Sequence, residues 1–290
     1  MRINKTFILT NQNNVYECSP PMSLSAFTTA LRLTPLLLAG TVAAWAQPPA
    51  RALREMSTDR PDATESPFTI DPGHVQLEMD AVSFSRDRQG GTRTEEWEAA
   101  PFNLRFGVTP NFEAGIFVAP YRRVSETPRG GPRETHSGAG DTVLRTKWNF
   151  AGNDGGDFGW GLMADVKLPT AARALGNRKL EAALTLPIAF ELGAGWGGGA
   201  MTAVEAVYAD AGRHRAVWSN TLTVGRDLAE NIGAFVELTS ATGDGPHVAT
   251  FNAGLTRRLS PDLQLDGGVN IGISRVAPDL LVFVGLARRF

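Results

Sequence analysis

Phe158-Gly159-Trp160-Gly161-Leu162-Met163-Ala164-Asp165-Val166-Lys167-Leu168 decides the fold. In an extended chain Phe158, Trp160, Leu162, Ala164, Val166 and Leu168 share one face, and Gly159, Gly161, Met163, Asp165 and Lys167 share the other. Such a strand has an unbroken apolar row on one side and an acid and a base on the other, so its two faces need different surroundings. The pattern recurs: Val75, Leu77, Met79 and Ala81 alternate with His74, Gln76, Glu78 and Asp80. Leu180, Ala182, Leu184, Leu186, Ile188 and Phe190 alternate with Glu181, Ala183, Thr185, Ala189 and Glu191. Leu263, Leu265, Val269, Ile271 and Ile273 oppose Gln264, Asp266, Gly268, Asn270 and Ser274.

Runs of this kind predict strands near 73–85, 95–108, 111–122, 140–151, 157–169, 180–193, 199–209, 215–227, 231–241, 247–259, 262–274 and 280–290. That is about twelve, an even number, each near the 9–11 residues a tilted strand needs to cross a bilayer. Thr109-Pro110-Asn111, Asn153-Asp154-Gly155-Gly156, Ala229-Glu230 and Ser260-Pro261-Asp262 read as tight turns. Longer links are expected at 86–94, 123–139, 170–179, 210–214, 242–246 and 275–279. The expected fold is therefore all-β, a transmembrane antiparallel up-and-down β-barrel over 73–290, with short turns and both termini on the periplasmic side. Trp148, Phe150, Phe158, Trp160, Phe190 and Phe112 fall near strand ends on the apolar face, as an interface girdle would.

The closing stave is expected at Leu280 to Phe290, pairing with 73–85 so that no edge is left. A terminal Phe is what outer-membrane barrels commonly present to their assembly machinery, which makes that machinery an expected partner alongside outer-membrane lipid. Arg288 is unexpected on the outward row of this strand; it would have to snorkel to the interface or weaken recognition.

Composition fits a barrel. The chain has 290 residues, 31 of them Gly, 42% apolar residues and a mean hydropathy of -0.13, with no excess that would mark transmembrane helices. A lipocalin-like barrel or sandwich is the soluble competitor, but its charged face would have to lie outside, and the apolar rows are too uniform for that. A net charge of -2 without a basic block argues against nucleic acid.

The apolar run Leu31 to Ala46, with Arg32 near its start and Ala44-Trp45-Ala46 at its end, reads as a secretory signal peptide over 1–46. It is shorter than the ~20 residues of a spanning helix and broken by Pro35. Residues 1–21 are polar, unlike the start of a signal peptide, which suggests a translation start at Met22. Cys18, the sole cysteine, falls in this leader. Residues 47–72 carry Pro48, Pro49, Pro61, Pro67 and Pro72 and are expected to form an extended periplasmic arm or plug.

The faces assign Glu78, Asp80, Arg105, Glu113, Arg145, Lys147, Asp165, Lys167, Glu181, Glu191, Glu205, Glu237 and Asp266 to the lumen, because an Arg or Lys facing lipid at midplane costs roughly 2–4 kcal/mol. They form an ion-pair lattice that holds the barrel shut, part of which can also line a constriction that sorts solutes by charge. Catalysis has little support. His74, His136, His214 and His247 have no metal-like spacing, so no metal or cofactor is expected, and the adjacent His136 and Ser137 point to opposite faces. Gly197-Gly198-Gly199 lacks the Lys and helix of a phosphate loop and reads as a turn, and Gly254, Gly268, Gly272 and Gly285 as wall packing.

Ser57-Thr58-Asp59-Arg60-Pro61-Asp62-Ala63-Thr64-Glu65-Ser66-Pro67, Pro72-Gly73-His74-Val75-Gln76-Leu77-Glu78, Gly140-Asp141-Thr142-Val143-Leu144-Arg145-Thr146-Lys147 and the ending Phe283 to Phe290 resemble the outer-membrane proteins called "putative MetA-pathway of phenol degradation". The resemblance covers essentially the whole mature chain and implies a passive outer-membrane channel that admits small solutes, hydrophobic or aromatic ones included, with no catalytic residues. The alternatives are a closed structural or adhesive barrel and, less favoured, an outer-membrane hydrolase. The same box makes Asp59, Arg60, Asp62 and Glu65 candidates to enter the lumen from below and pair with Arg105, Arg145 or Lys147 as a plug or gate.

Overall fold

The computed structural model describes residues 52–209 and 212–290. The expected signal peptide, the start at Met22, Cys18 and the first residues of the arm lie outside the described residues. Residues 75–290 form one antiparallel sheet, closed by pairing of its last strand with its first. The strands are β1 (Val75–Gln89), β2 (Thr92–Ala99), β3 (Phe102–Thr109), β4 (Phe112–Val118), β5 (Tyr121–Pro128), β6 (Glu134–Gly138), β7 (Thr142–Ala151) and β8 (Phe158–Leu168). They continue as β9 (Glu181–Gly193), β10 (Trp196–Tyr208), β11 (His214–Ala229), β12 (Ile232–Thr242), β13 (Val248–Ser260), β14 (Leu263–Gly272) and β15 (Leu280–Arg289).

Fifteen strands make twelve staves. β2 and β3 both pair with β1, so they are one stave broken at Ala100-Pro101; β4 with β5, and β6 with β7, likewise form single staves. The breaks have a local cause. Pro101 and Pro120 have no N–H to donate to the ladder, Ala100 takes a φ of 53°, and β1 bulges between Asp80 and Val82. The ladder resumes at once: the Ala100 N–H donates to the Ala81 carbonyl at 3.3 Å, and the Asp80 N–H to the Pro101 carbonyl at 3.0 Å.

Several expected boundaries are corrected. The links expected at 86–94 and 123–139 are mostly strand: β1 runs to Gln89, turns at Gly90-Gly91 with φ of 58° and 83° and returns as β2, while β5 and β6 leave only 129–133 as loop. Charged residues such as Arg86, Asp87, Arg88 and Arg93 suggest loop, but a hairpin that extends beyond an apolar belt can be solvated on both faces. Gly197-Gly198-Gly199 is also not a turn; it lies inside β10, and the turn is Ala194-Gly195, both residues at positive φ (54° and 74°) as a two-residue hairpin turn requires.

Both ends of the described barrel chain, and the turns at 110–111, 152–157, 194–195, 230–231 and 261–262, gather at one end, called here the turn end. The connections at 169–180, 209–213, 243–247 and 273–279 mark the loop end. The seam closes with the Val75 N–H donating to the Phe290 carbonyl at 3.3 Å and the Phe290 N–H to the Val75 carbonyl at 2.8 Å.

The apolar rows face outward: Leu144, Leu184, Leu222, Val236, Leu238, Leu255 and Val284 are all exposed. The girdle residues lie among them at the turn end, Phe112 against Trp148 and Phe150 against Trp160, each pair with ring centroids 4.7 Å apart. Arg288 is also outward there, its guanidinium 5.0 Å from the Phe290 ring, so the terminal aromatic carries the cation. The interior reverses the rule of soluble cores. Arg105, Arg122, Lys147, Gln76, Glu113, Glu205 and Glu237 are among its most completely buried side chains. The inward apolar cluster of Met201, Val207, Val217, Ala241, Val248 and Ala277 lines the loop-end half of β10 to β13.

Candidate functional site

Strand register builds the lumen lattice. On β7 and β8, Arg145 faces Asp165 directly, and its Nε and Nη2 donate to the two carboxylate oxygens at 2.8 and 2.9 Å. Lys147 faces Glu113 across β7 and β4 at 3.6 Å, and Lys167 faces Glu181 across β8 and β9 at 2.6 Å. Arg105 on β3 joins Glu113 at 2.8 Å to Glu78 at 2.6 Å. Buried ion pairs of this kind gain little net stability, because desolvation offsets the attraction, but each strongly opposes loss of one partner.

The Pro-rich arm runs through this lattice. Asp59 accepts from Lys147 Nζ at 2.5 Å and lies 3.4 Å from Arg105 and 3.9 Å from Arg145, while its own N–H donates to Glu78. Burial alone would raise the Asp59 carboxyl, but Arg105, Lys147 and Arg145 hold it down to about 2. Arg60 turns the other way. It pairs with Asp80 and, at 2.5 Å, with Asp266, not with the lattice cations. Asp80, Gly285 and Asp266 form one cross-strand row on β1, β15 and β14, so Arg60 spans the seam where the barrel closes. Gly285 is needed beneath it, because a Cβ there would collide with Arg60 Nη2. Phe283, on the next inward position, presents its ring 5.7 Å from the guanidinium.

Further along, the Ala63 and Thr64 N–H groups donate to Glu237 at 2.9 and 2.7 Å, and Thr64 Oγ1 meets Thr221 at 2.7 Å. Glu65 lies 3.0 Å from Arg145. Burial raises the Glu65 carboxyl to about 8 in spite of Arg145, and Asp59 adds to the rise. The arm then returns along β4 and β7: the Ile70 N–H donates to Glu113 at 2.9 Å, Arg105 Nη2 to the Phe68 carbonyl at 3.0 Å and Asn149 Nδ2 to the Pro67 carbonyl at 3.0 Å.

Of the sequence-derived candidates, Glu78, Asp80, Arg105, Glu113, Arg145, Lys147, Glu237 and Asp266 meet the arm directly, and Asp165 holds Arg145 beside it. Lys167 and Glu205 face inward away from it; Lys167 also reaches Asp141 at 3.5 Å and Glu205 accepts from Ser219 at 3.0 Å. Glu191 is exposed at the turn-end rim, and Asp62 lines a cavity there. Sequence reasoning missed a second inward group near the loop end, Arg122 with Glu96 and Glu98, the last at 2.5 Å from Arg122 Nε. The alternation of Glu96 and Glu98 about the exposed Trp97 was the available signal; it was hidden by treating the neighbouring segments as loop. Leu175, from the 169–180 connection, is buried, and its carbonyl lies 3.4 Å from Arg122 Nη1.

Among the described residues, two cavities border the arm. One of 60 Å³ is walled by Glu78, Asp80, Glu98, Asn103, Arg145 and Phe283 with Asp59, Arg60 and Glu65 of the arm. The other, of 360 Å³, lies between the arm and the turn-end halves of β10 to β12, where Gly197, Gly199, Thr223, Gly225 and Gly233 leave room. His136 and Ser137 stand exposed side by side on β6. Among the described residues no group of His, Cys, Asp or Glu is arranged to hold a metal.

A family model described as "Putative MetA-pathway of phenol degradation" matches residues 58–290. The fold is similar to the crystal structure of an outer membrane channel from Pseudomonas putida F1, with 13% identity, a TM-score of 0.62 and coverage of 81% of this chain and 100% of that one. It is also similar to the beta domain of the Bordetella autotransporter BrkA, with 15% identity, a TM-score of 0.50 and coverage of 76% and 100%. No curated protein matches the chain.

Proposed function

The chain belongs to the family described as "Putative MetA-pathway of phenol degradation", and from that premise we propose that it is a passive outer-membrane channel for small solutes. One observation carries the reading: a closed twelve-stave barrel, apolar outside and lined inside by buried charges. A wall of that kind separates lipid from a polar path. No chemistry is assigned to it. Both termini and the short turns are proposed to lie in the periplasm, with Phe290 presented to the assembly machinery and residues 1–46 acting as the leader. The family description supports hydrophobic or aromatic compounds as the solute class.

Within this reading the arm is a plug or gate, with Asp59, Arg60, Asp62 and Glu65 as its charged contacts, and the lumen charges Glu78, Asp80, Arg105, Glu113, Arg145, Lys147, Asp165, Lys167, Glu205, Glu237 and Asp266 set the constriction. Its seating across the lumen also favours a second reading, a closed structural barrel. Liposome swelling with phenol-like and sugar solutes, together with single-channel recording of the full chain and of a chain lacking residues 47–66, separates the two. A channel gives measurable conductance that rises on deletion. Silence from both proteins, each folded by heat-modifiable gel migration, would leave the closed barrel.

A further inference from the structure

We infer that Glu65 is the movable partition between the two lumen cavities, and that its contact with Arg145 closes the solute path between them. The inference rests on the channel reading and names its point of regulation. Glu65 lines both the 60 Å³ cavity and the 360 Å³ cavity, and no other residue is shared by their two linings. A side chain that borders both spaces is the one whose displacement joins them.

Its fastening is also lighter than that of Asp59, Arg60 or Thr64. Asp59 meets three cations, Arg60 is held by two carboxylates, and Thr64 is held through backbone and hydroxyl to Glu237. Among the described residues the Glu65 carboxyl has one ion-pair partner, Arg145, and its buried Oε2 has no hydrogen-bond partner. Its backbone N–H goes to the Met201 sulfur at 3.4 Å, a weak acceptor. Arg145 does not depend on Glu65, since both Asp165 oxygens already accept from it. Swinging Glu65 away therefore leaves no cation stranded, whereas releasing Asp59 would take from Lys147 its 2.5 Å partner and releasing Arg60 would remove the cation that joins Asp80 to Asp266. Once Glu65 has moved, Arg145 faces the opening, so the path should favour anions.

Planar-bilayer recording of the full chain and of Glu65→Ala and Glu65→Gln tests this. Glu65→Ala is expected to raise single-channel conductance at least about twofold and to shift the reversal potential in a KCl gradient toward anion selectivity, while Glu65→Gln, which keeps the bulk but not the charge facing Arg145, gives a smaller shift in the same direction. A Cys18→Ser/Glu65→Cys protein covers the case in which the alanine variant fails to fold: a bulky thiol reagent added after assembly should lower its conductance. A conducting parent whose conductance is unchanged by Glu65→Ala, or by labelling of the cysteine, overturns the partition while leaving the channel intact. Parent and variants that are all silent, though folded, overturn the channel reading itself.

Discussion

Replacing Arg60 by Ala tests whether the arm fastens the barrel seam. In the folded chain the guanidinium rests over Gly285 and joins Asp80 to Asp266, whose side chains are 16% and 0% exposed. Removing it leaves two carboxylates on the strands either side of Gly285, one of them fully buried, with no cation between them. Breaking a buried pair by removing one partner costs about 3–5 kcal/mol; the partial exposure of Asp80 lets water screen its share, so a loss of about 3 kcal/mol is expected. Urea unfolding in detergent micelles, followed by heat-modifiable gel migration, measures it. Adding Asp266→Asn to the Ala variant should recover part of the loss, because the amide no longer needs a cation. A loss under about 1 kcal/mol, or no recovery in the double variant, would refute a charge-based clasp.

Three further outcomes are expected. Leu222→Arg, outward and facing Leu238 on the next strand, should cost roughly 2–4 kcal/mol if it lies near the midplane, read as lost folding yield in bilayers, and little if that face is not in lipid. Asp59 titrates at about 2 in the folded chain against 3.8 ordinarily, so its contribution is present above pH 3.8 and is lost as pH falls through that window toward 2. Asp59→Asn should therefore lower stability at about pH 6 and narrow the gap to the parent as pH drops from about 4 to about 2, and a gap that stays constant with pH counts against the ion pairs. Gly199→Phe should dislodge the arm, since a Cβ there already lies 3.2 Å from Thr64 Cγ2; protease cleavage between residues 57 and 67 should rise, and unchanged protection would place the arm elsewhere.

Much of the wall was legible in the sequence, for a local reason. Side chains on a strand alternate strictly, so Trp160 beside Gly161 and Leu144 beside Arg145 already state which side meets lipid and which meets the lumen. The turns at Pro110-Asn111 and Pro261-Asp262 announce themselves through residues that cannot continue a ladder. Failures came where a local cue has two meanings. Charge in 86–94 suggests loop where the chain is solvated strand, and three consecutive glycines suggest a turn where they instead thin the wall of β10 beside the arm.

Period and punctuation thus determined by themselves a barrel of about twelve staves and the inward side of mid-strand charges such as Glu78, Arg105, Arg145 and Asp165, though not of Arg122, Glu96 and Glu98. Which charges meet was decided only by the closed tertiary structure. Arg60 and Asp266 are 206 positions apart, and Thr64 and Glu237 are 173 apart. Their pairing depends on which staves become neighbours on closure and on how far the proline-stiffened arm reaches inside, neither of which is written in any local window. The seam shows it most directly: Asp80, Gly285 and Asp266 become one row only when the last strand pairs with the first, and only then does a binding place for Arg60 exist.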